Sequence, residues 1–301
     1  MVLNPSSLLS KPTIPTLFHQ MYWSSSRPAA VLMELGVVNI KHKKSASSSS
    51  SDDDDEAGNK KKKSNDDGVV DIVTVTEEQL KNDPMLVELN PQKRLPFFYD
   101  PTYDLRLHES GGLIEYLLET YDTNGTLSLS KDDDTDISKR AEYYKLLHFG
   151  PATMYHIGVP IMGHDIGFAK LSDEQLATKK EEWNRIVIPT LEYTLNKYGG
   201  PYLLGSKFTA VDCSIQYDVL TIASSSYKEE LVTSHPVLKS YLDAISERDV
   251  YKKLYNANTN DSDDGEKEKG GDDVPADTVD TKNDGGNEAD NEPKSKKLKS
   301  T

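Results

Sequence analysis

Two stretches of this chain are nearly empty of apolar side chains, and they decide how much of it can fold. Residues 41–67 run through serines at 47–51, aspartates at 52–55 and lysines at 60–63, with no large apolar residue. Residues 257–301 are mostly Asp, Glu, Lys, Gly and Asn, relieved by Val274, Val279 and Leu298. Neither stretch can bury enough surface to offset the entropy of ordering, so both are predicted to be disordered. With residues 1–12 read as a flexible N-terminus, about 215 residues remain, enough for one or two compact domains.

Charge narrows the partners. The formal net charge is −15. The 257–301 tail carries 13 acids against 7 bases, and the 41–67 insertion is balanced, so the foldable part is itself acidic. An acidic body argues against nucleic acid, which needs a basic surface. The run Lys294, Lys296, Lys297, Lys299 reads as a solvated tail, with nuclear import left open. Cys213 is the sole cysteine, which fits a reducing compartment. No apolar run reaches the roughly 20 residues of a membrane span. A cytoplasmic location is expected, with an organelle address at the N-terminus left open.

Local patterns order the elements. Residues 14–19 read as a strand. Ser24, Ser25 and Ser26 precede Arg27-Pro28 and a run of helix formers that ends at Gly36, a helix with its start and stop signals. Residues 69–75 form a second strand, with the insertion placed between that helix and this strand. Residues 79–89 suggest a short helix interrupted at Pro84. Leu95-Pro96-Phe97-Phe98-Tyr99 opens a third strand, and Leu105 and Leu107 lie on a fourth. From Ser110 a helix shows Ile114, Leu117, Leu118 and Tyr121 at helical spacing. Beyond residue 134 only helices are expected, at 140–150, after Pro151, at 174–198 with a kink at Pro189, at 209–224 and at 236–245.

The string Asn90-Pro91-Gln92-Lys93-Arg94-Leu95-Pro96, followed by Glu109-Ser110 at a helix start, resembles the glutathione-binding half of cytosolic glutathione transferases. Leu203-Leu204-Gly205 with Phe208-Thr209-Ala210-Val211-Asp212 is similar to the capping box of that family's helical half, and His148-Phe149 before a restarted helix is similar to a microbial and fungal subgroup. The resemblance spans about residues 13–254 without the insertion. It implies a thioredoxin-like N-terminal domain (13–121, with 41–68 inserted) on a mixed four-stranded sheet, an all-helical C-terminal domain (135–254), and a homodimer.

The resemblance also implies a site. A cis Leu95-Pro96 peptide would turn the Leu95 backbone outward to pair with the cysteinyl unit of glutathione, as a strand pairs. Ser110 would hold the γ-glutamyl carboxylate at a positive helix end, and Glu109 the neighbouring ammonium. Lys93 would meet the glycyl carboxylate; an exposed lysine that is merely solvated explains it equally. A thiol of pKa about 8.5 needs a hydroxyl donor to stabilise its anion. Ser24 or Ser25, with Tyr22 behind them, is the candidate, and capping the helix is the equal alternative for the serines. With no cysteine there, a thioredoxin-type redox protein is nearly excluded. Thr209 and Asp212 read as a folding signature, and Cys213 as an inert thiol.

The resulting expectation is a transferase that joins glutathione to a small electrophile, or reduces the electrophile with it. The other reading is a non-catalytic interaction module of the translation-factor or synthetase kind. The electrophile would lie against residues 140–165, including Tyr144, Phe149, Met154, Tyr155, His156 and Met162. No metal is expected, since His148 and His156 lack partners at ligand spacing.

Overall fold

The computed structural model describes residues 9–20, 22–39, 69–129 and 136–255. The insertion at 41–68 lies outside these, as does the tail at 257–301. Residues 9–12 fall within the N-terminus expected to be flexible, yet Leu9 is tied down. Its amide donates to Asp83 Oδ2 at 2.9 Å, and its side chain joins an apolar cluster with Trp23 and Met85.

The front half is built on one mixed sheet. Its strands are β1 (Thr16–His19), β2 (Val38–Asn39), β3 (Val70–Thr74), β4 (Phe97–Asp100) and β5 (Leu105–Leu107). They lie in the order β2-β3-β1-β4-β5. β1 runs parallel to β3 and antiparallel to β4. The sheet therefore has five strands, not four. The addition is the two-residue β2, parallel to β3, which is too short to announce itself by periodicity. The 40–68 segment consequently follows β2 rather than the first helix directly.

Every residue of β1 and β4 is buried, because helices cover both sheet faces. The pleat divides their side chains. Leu17 and Phe98 join the large core against α1 (Ser26–Glu34) and α4 (Ser110–Tyr121). Phe18, Phe97 and Tyr99 join a smaller core under α2 (Glu77–Asn82) and α3 (Pro84–Leu89). Pro84 ends one helix and begins the next, with Asp83 accepting from the Met85 and Leu86 amides.

The back half is helical: α5 (Ile137–Phe149), α6 (Tyr155–Asp165), α7 (Asp173–Glu182), α8 (Ile188–Tyr198), α9 (Ala210–Ala223), α10 (Pro236–Ser246) and α11 (Asp249–Tyr255). The long helix expected over 174–198 is two, joined by a π-helical turn at Trp183–Val187 just before Pro189. Proline lacks the amide that would continue the ladder, and the wider turn absorbs the break. A similar turn at Gly150–Met154 surrounds Pro151. α9 is buried from Ala210 to Ile222, which makes it the axis of this half. The Asp212 carboxylate accepts from the Thr209 amide and hydroxyl and from the Leu203 amide, anchoring the start of α9. Cys213 is buried and burial raises its thiol pKa, consistent with an inert group.

Candidate active site

Three loops meet at the N-terminal end of α1. The first joins β1 to α1 and carries Tyr22, Ser24 and Ser25. The second precedes β4 and carries Lys93, Leu95 and Pro96. The third joins β5 to α4 and carries Glu109 and Ser110.

The Leu95-Pro96 bond is cis, as the resemblance implies. Buried Asn90 supports this turn, its Nδ2 donating to the Arg94 carbonyl at 2.9 Å. The Ser24 hydroxyl donates to the Leu95 carbonyl at 3.3 Å, which joins the first loop to the second. Ser24 is half-buried. Ser25 is different. It is fully enclosed, accepts from the Gln20 amide at 3.2 Å, donates to the Gln20 carbonyl at 3.3 Å and lies 3.0 Å from His19 Nδ1. Its side chain makes no capping bond. Its hydroxyl holds the loop from within. Burial pushes the His19 pKa down to about 4, so that ring is neutral at pH 7.

Tyr22 takes a left-handed φ of 62°, is 47 % exposed, and donates its hydroxyl to the Tyr255 carbonyl at 3.4 Å. Its own carbonyl accepts from the Tyr217 hydroxyl at 3.2 Å. Lys93 is exposed with φ 52°, and its Nζ donates to the Lys81 carbonyl at 2.8 Å. It thus rests against the end of α2. Glu109 occupies the N-cap position of α4 with φ 65° and is exposed, and its side chain makes no capping bond. Ser110 is the first residue of the helix, and is buried. Its hydroxyl is therefore not the cap that the sequence allowed.

Arg27 closes the arrangement, and sequence reasoning missed its role. It is 1 % exposed. Its guanidinium donates twice to Asp218 on α9, at 2.9 and 2.8 Å, and Nε donates to the Ser214 carbonyl at 2.9 Å. Nη1 reaches Ser110 Oγ at 3.5 Å, the outer limit of a hydrogen bond. The rings of Tyr217 and Tyr155 lie 4.5 and 5.5 Å from the guanidinium carbon. Burial pushes the Asp218 carboxyl up to about 6, with the guanidinium pulling the other way. Two signals were present: an arginine at a helix N-terminus, where the dipole disfavours it, and an aspartate within an apolar helix.

Of the residues expected near an electrophile, Tyr155 faces this junction. Met154 is buried in the core, while Tyr144 and His156 are exposed. Among the described residues no group of three or more His, Cys, Asp or Glu side chains is arranged to hold a metal. No helix among them is long and apolar enough to cross a membrane.

Comparison with known proteins points one way. The family model "Glutathione S-transferase, C-terminal domain" matches residues 168–256. The chain is 30 % identical over 174 residues to the glutathione S-transferase-like protein OpS6 of Beauveria bassiana, covering 56 % of this chain and 75 % of that protein. It is 29 % identical to the glutathione S-transferase-like protein gedE of Aspergillus terreus, covering 58 % and 79 %. Among solved structures, a glutathione transferase homolog from Lodderomyces elongisporus with two GSH per subunit superposes with TM-score 0.58 at 16 % identity, covering 82 % of this chain and all of that one. The glutathione transferase URE2P6 of Phanerochaete chrysosporium, in complex with oxidized glutathione, gives 0.57 at 17 % identity, covering 81 % and 95 %.

Proposed function

We propose that this chain, which belongs to the glutathione S-transferase family, binds glutathione across the three loops and uses its sulfur to attack a small electrophile. The observation that carries this reading is the Ser24 hydroxyl on the Leu95 carbonyl, at the positive end of α1. That carbonyl is the acceptor an extended cysteinyl N–H would seek. An arriving peptide N–H competes for it and releases the serine O–H toward the sulfur beside it.

Each loop then has a task. The Leu95 backbone pairs with the cysteinyl unit. The start of α4, with Ser110, receives the γ-glutamyl carboxylate, and Glu109 receives the ammonium. Ser24 donates to the thiolate once the thiol proton has left to water. A hydrogen bond to the anion favours ionisation, and each pKa unit corresponds to about 1.4 kcal/mol. The sulfur lone pair forms the new C–S bond. A leaving group departs with its electron pair, or, in an addition, the resulting carbanion takes a proton from water. Ser25 and Tyr22 shape the loop that presents Ser24.

The test is calorimetric titration with glutathione, paired with turnover of a chromogenic chloronitrobenzene. Binding with turnover that falls in Ser24→Ala supports the reading. No binding by the wild-type chain overturns it. Binding without turnover of any electrophile in a panel returns the chain to the interaction-module reading.

A further inference from the structure

The peptide-binding loop and the carboxylate-binding turn are separate in sequence, and one side chain joins them. His108 sits between β5 and Glu109, and its Nδ1 lies 3.2 Å from the Pro96 carbonyl oxygen, twelve residues away. A carbonyl only accepts, so the contact requires a proton on Nδ1. The ring is half-buried, and burial lowers its pKa, so at neutral pH it carries a single proton. That proton is engaged at Pro96, which leaves Nε2 as a bare acceptor. The ring plane is set as well: it stacks on Phe97 at 5.1 Å, 27° from parallel.

A ligand gripped by backbone at Leu95 and by charge at Glu109 and Ser110 needs those two grips at a fixed separation. Misplacement by about 1 Å can cost roughly a hundredfold in such sites. The adjoining Glu109 holds a left-handed φ of 65°, a conformation that persists only where its surroundings enforce it. A plain aromatic ring would stack on Phe97 equally well, but it would leave the Pro96 carbonyl unheld.

We propose that His108 is a positioning residue: its Nδ1–H bond to the Pro96 carbonyl sets the spacing between the two halves of the glutathione site. The inference rests on the glutathione-binding reading above. It assigns the imidazole neither contact with the sulfur nor proton transfer.

Two variants separate the bond from the ring. His108→Phe keeps the stack and loses the donor; His108→Asn keeps a short donor and loses the stack. In His108→Phe, the glutathione Kd and KM rise roughly tenfold, the scale of one hydrogen bond together with the looser grip. kcat and the KM for the electrophile stay within about twofold, since the sulfur end is untouched. His108→Asn recovers most of the glutathione affinity. Nitrogen NMR of the wild-type imidazole, which needs no variant to fold, should find the Nδ1-protonated tautomer. Wild-type affinity in His108→Phe, equal loss in both variants, or an Nε2-protonated ring would overturn this inference while leaving glutathione binding intact. A wild-type chain that does not bind glutathione would overturn the underlying reading, and this one with it.

Discussion

The two ends of the candidate site are held by different parts of the chain. At the α4 end, the contacts on Leu95, Pro96 and Ser110 come from the front half of the chain: Asn90 on the Arg94 carbonyl, Ser24 on the Leu95 carbonyl, His108 on the Pro96 carbonyl, and Arg27 at the outer limit of reach to Ser110. At the α1 end, the supports arrive from the helical half. Asp218 and Ser214 hold Arg27 across 191 and 187 residues. The Tyr217 hydroxyl holds the Tyr22 carbonyl, and the Tyr255 carbonyl holds the Tyr22 hydroxyl. The proposed peptide grip is thus built within the front half, whereas the α1 end draws on α9 and α11 as well as on its own loop.

The strongest way to break this contrast is Asp218→Asn. It leaves the Arg27 guanidinium buried without its counter-charge, and removing one partner of such a pair costs about 3–5 kcal/mol. Urea unfolding should show that loss. The double variant Arg27→Met, Asp218→Leu should lose much less, because no charge is stranded. A single variant as stable as wild type would mean that α9 does not support the α1 end.

His19 gives the next largest effect, as a function of pH. Its folded pKa of about 4 lies below the unfolded value of 6.5. Its contribution is therefore complete above pH 6.5 and is lost as the pH falls from there toward 4, because the unfolded chain binds the proton first. Over that window the loss is about 3 kcal/mol. Asp212 and Asp218, both raised to about 6, add stability as the pH falls through part of the same range. The histidine term is accordingly the difference between wild type and His19→Gln. Parallel pH–stability curves for the two would show that the β1–α1 loop does not enforce a neutral ring.

The same contrast explains what was legible in the sequence. Leu95-Pro96 and Glu109-Ser110 are short-range patterns that the resemblance picked out, and the cis bond and the helix start stand where it implied them. The α1 end was not legible in this way. Ser24, Ser25 and Ser26 are chemically equal in a sequence, and one residue of register separates a hydroxyl facing Leu95 from one enclosed beside His19. Nothing local announces that Tyr22 takes a left-handed φ, which asparagine or glycine would have signalled. Arg27 at a helix start and Asp218 within an apolar helix are misplaced charges that went unread, and their pairing between two halves of a chain is a property of the tertiary fold. The edge strand β2 was missed for a simpler reason: two residues carry no period.

Ser24→Ala against Ser25→Ala tests that single residue of register. Ser24→Ala should lower kcat/KM by roughly 10- to 100-fold, equivalent to about 1.4–2.7 kcal/mol, by losing a donor to the thiolate. Its thiolate absorbance should titrate at higher pH, with stability little changed. Ser25→Ala should instead cost about 1–3 kcal/mol of stability, since it takes the partner from the Gln20 amide and from the buried His19 Nδ1, while the folded fraction turns over normally. The opposite pattern would move the sulfur donor to Ser25.

Lys93 sharpens the contrast from the peptide side, with the smallest effect. Its Nζ is exposed and bonded to the Lys81 carbonyl at 2.8 Å, so meeting a glycyl carboxylate requires it to exchange one partner for another. The carbonyl is neutral and the carboxylate charged, which favours the exchange, but solvent screens an exposed pair and the median gain is below about 1 kcal/mol. Lys93→Ala should therefore weaken glutathione binding only about two- to fivefold, and the difference from wild type should fade as ionic strength rises. kcat should not move, because the lysine touches nothing at the sulfur end. A loss that persists in high salt would mean that Lys93 acts through its hold on α2, making the peptide grip less local than its other contacts suggest.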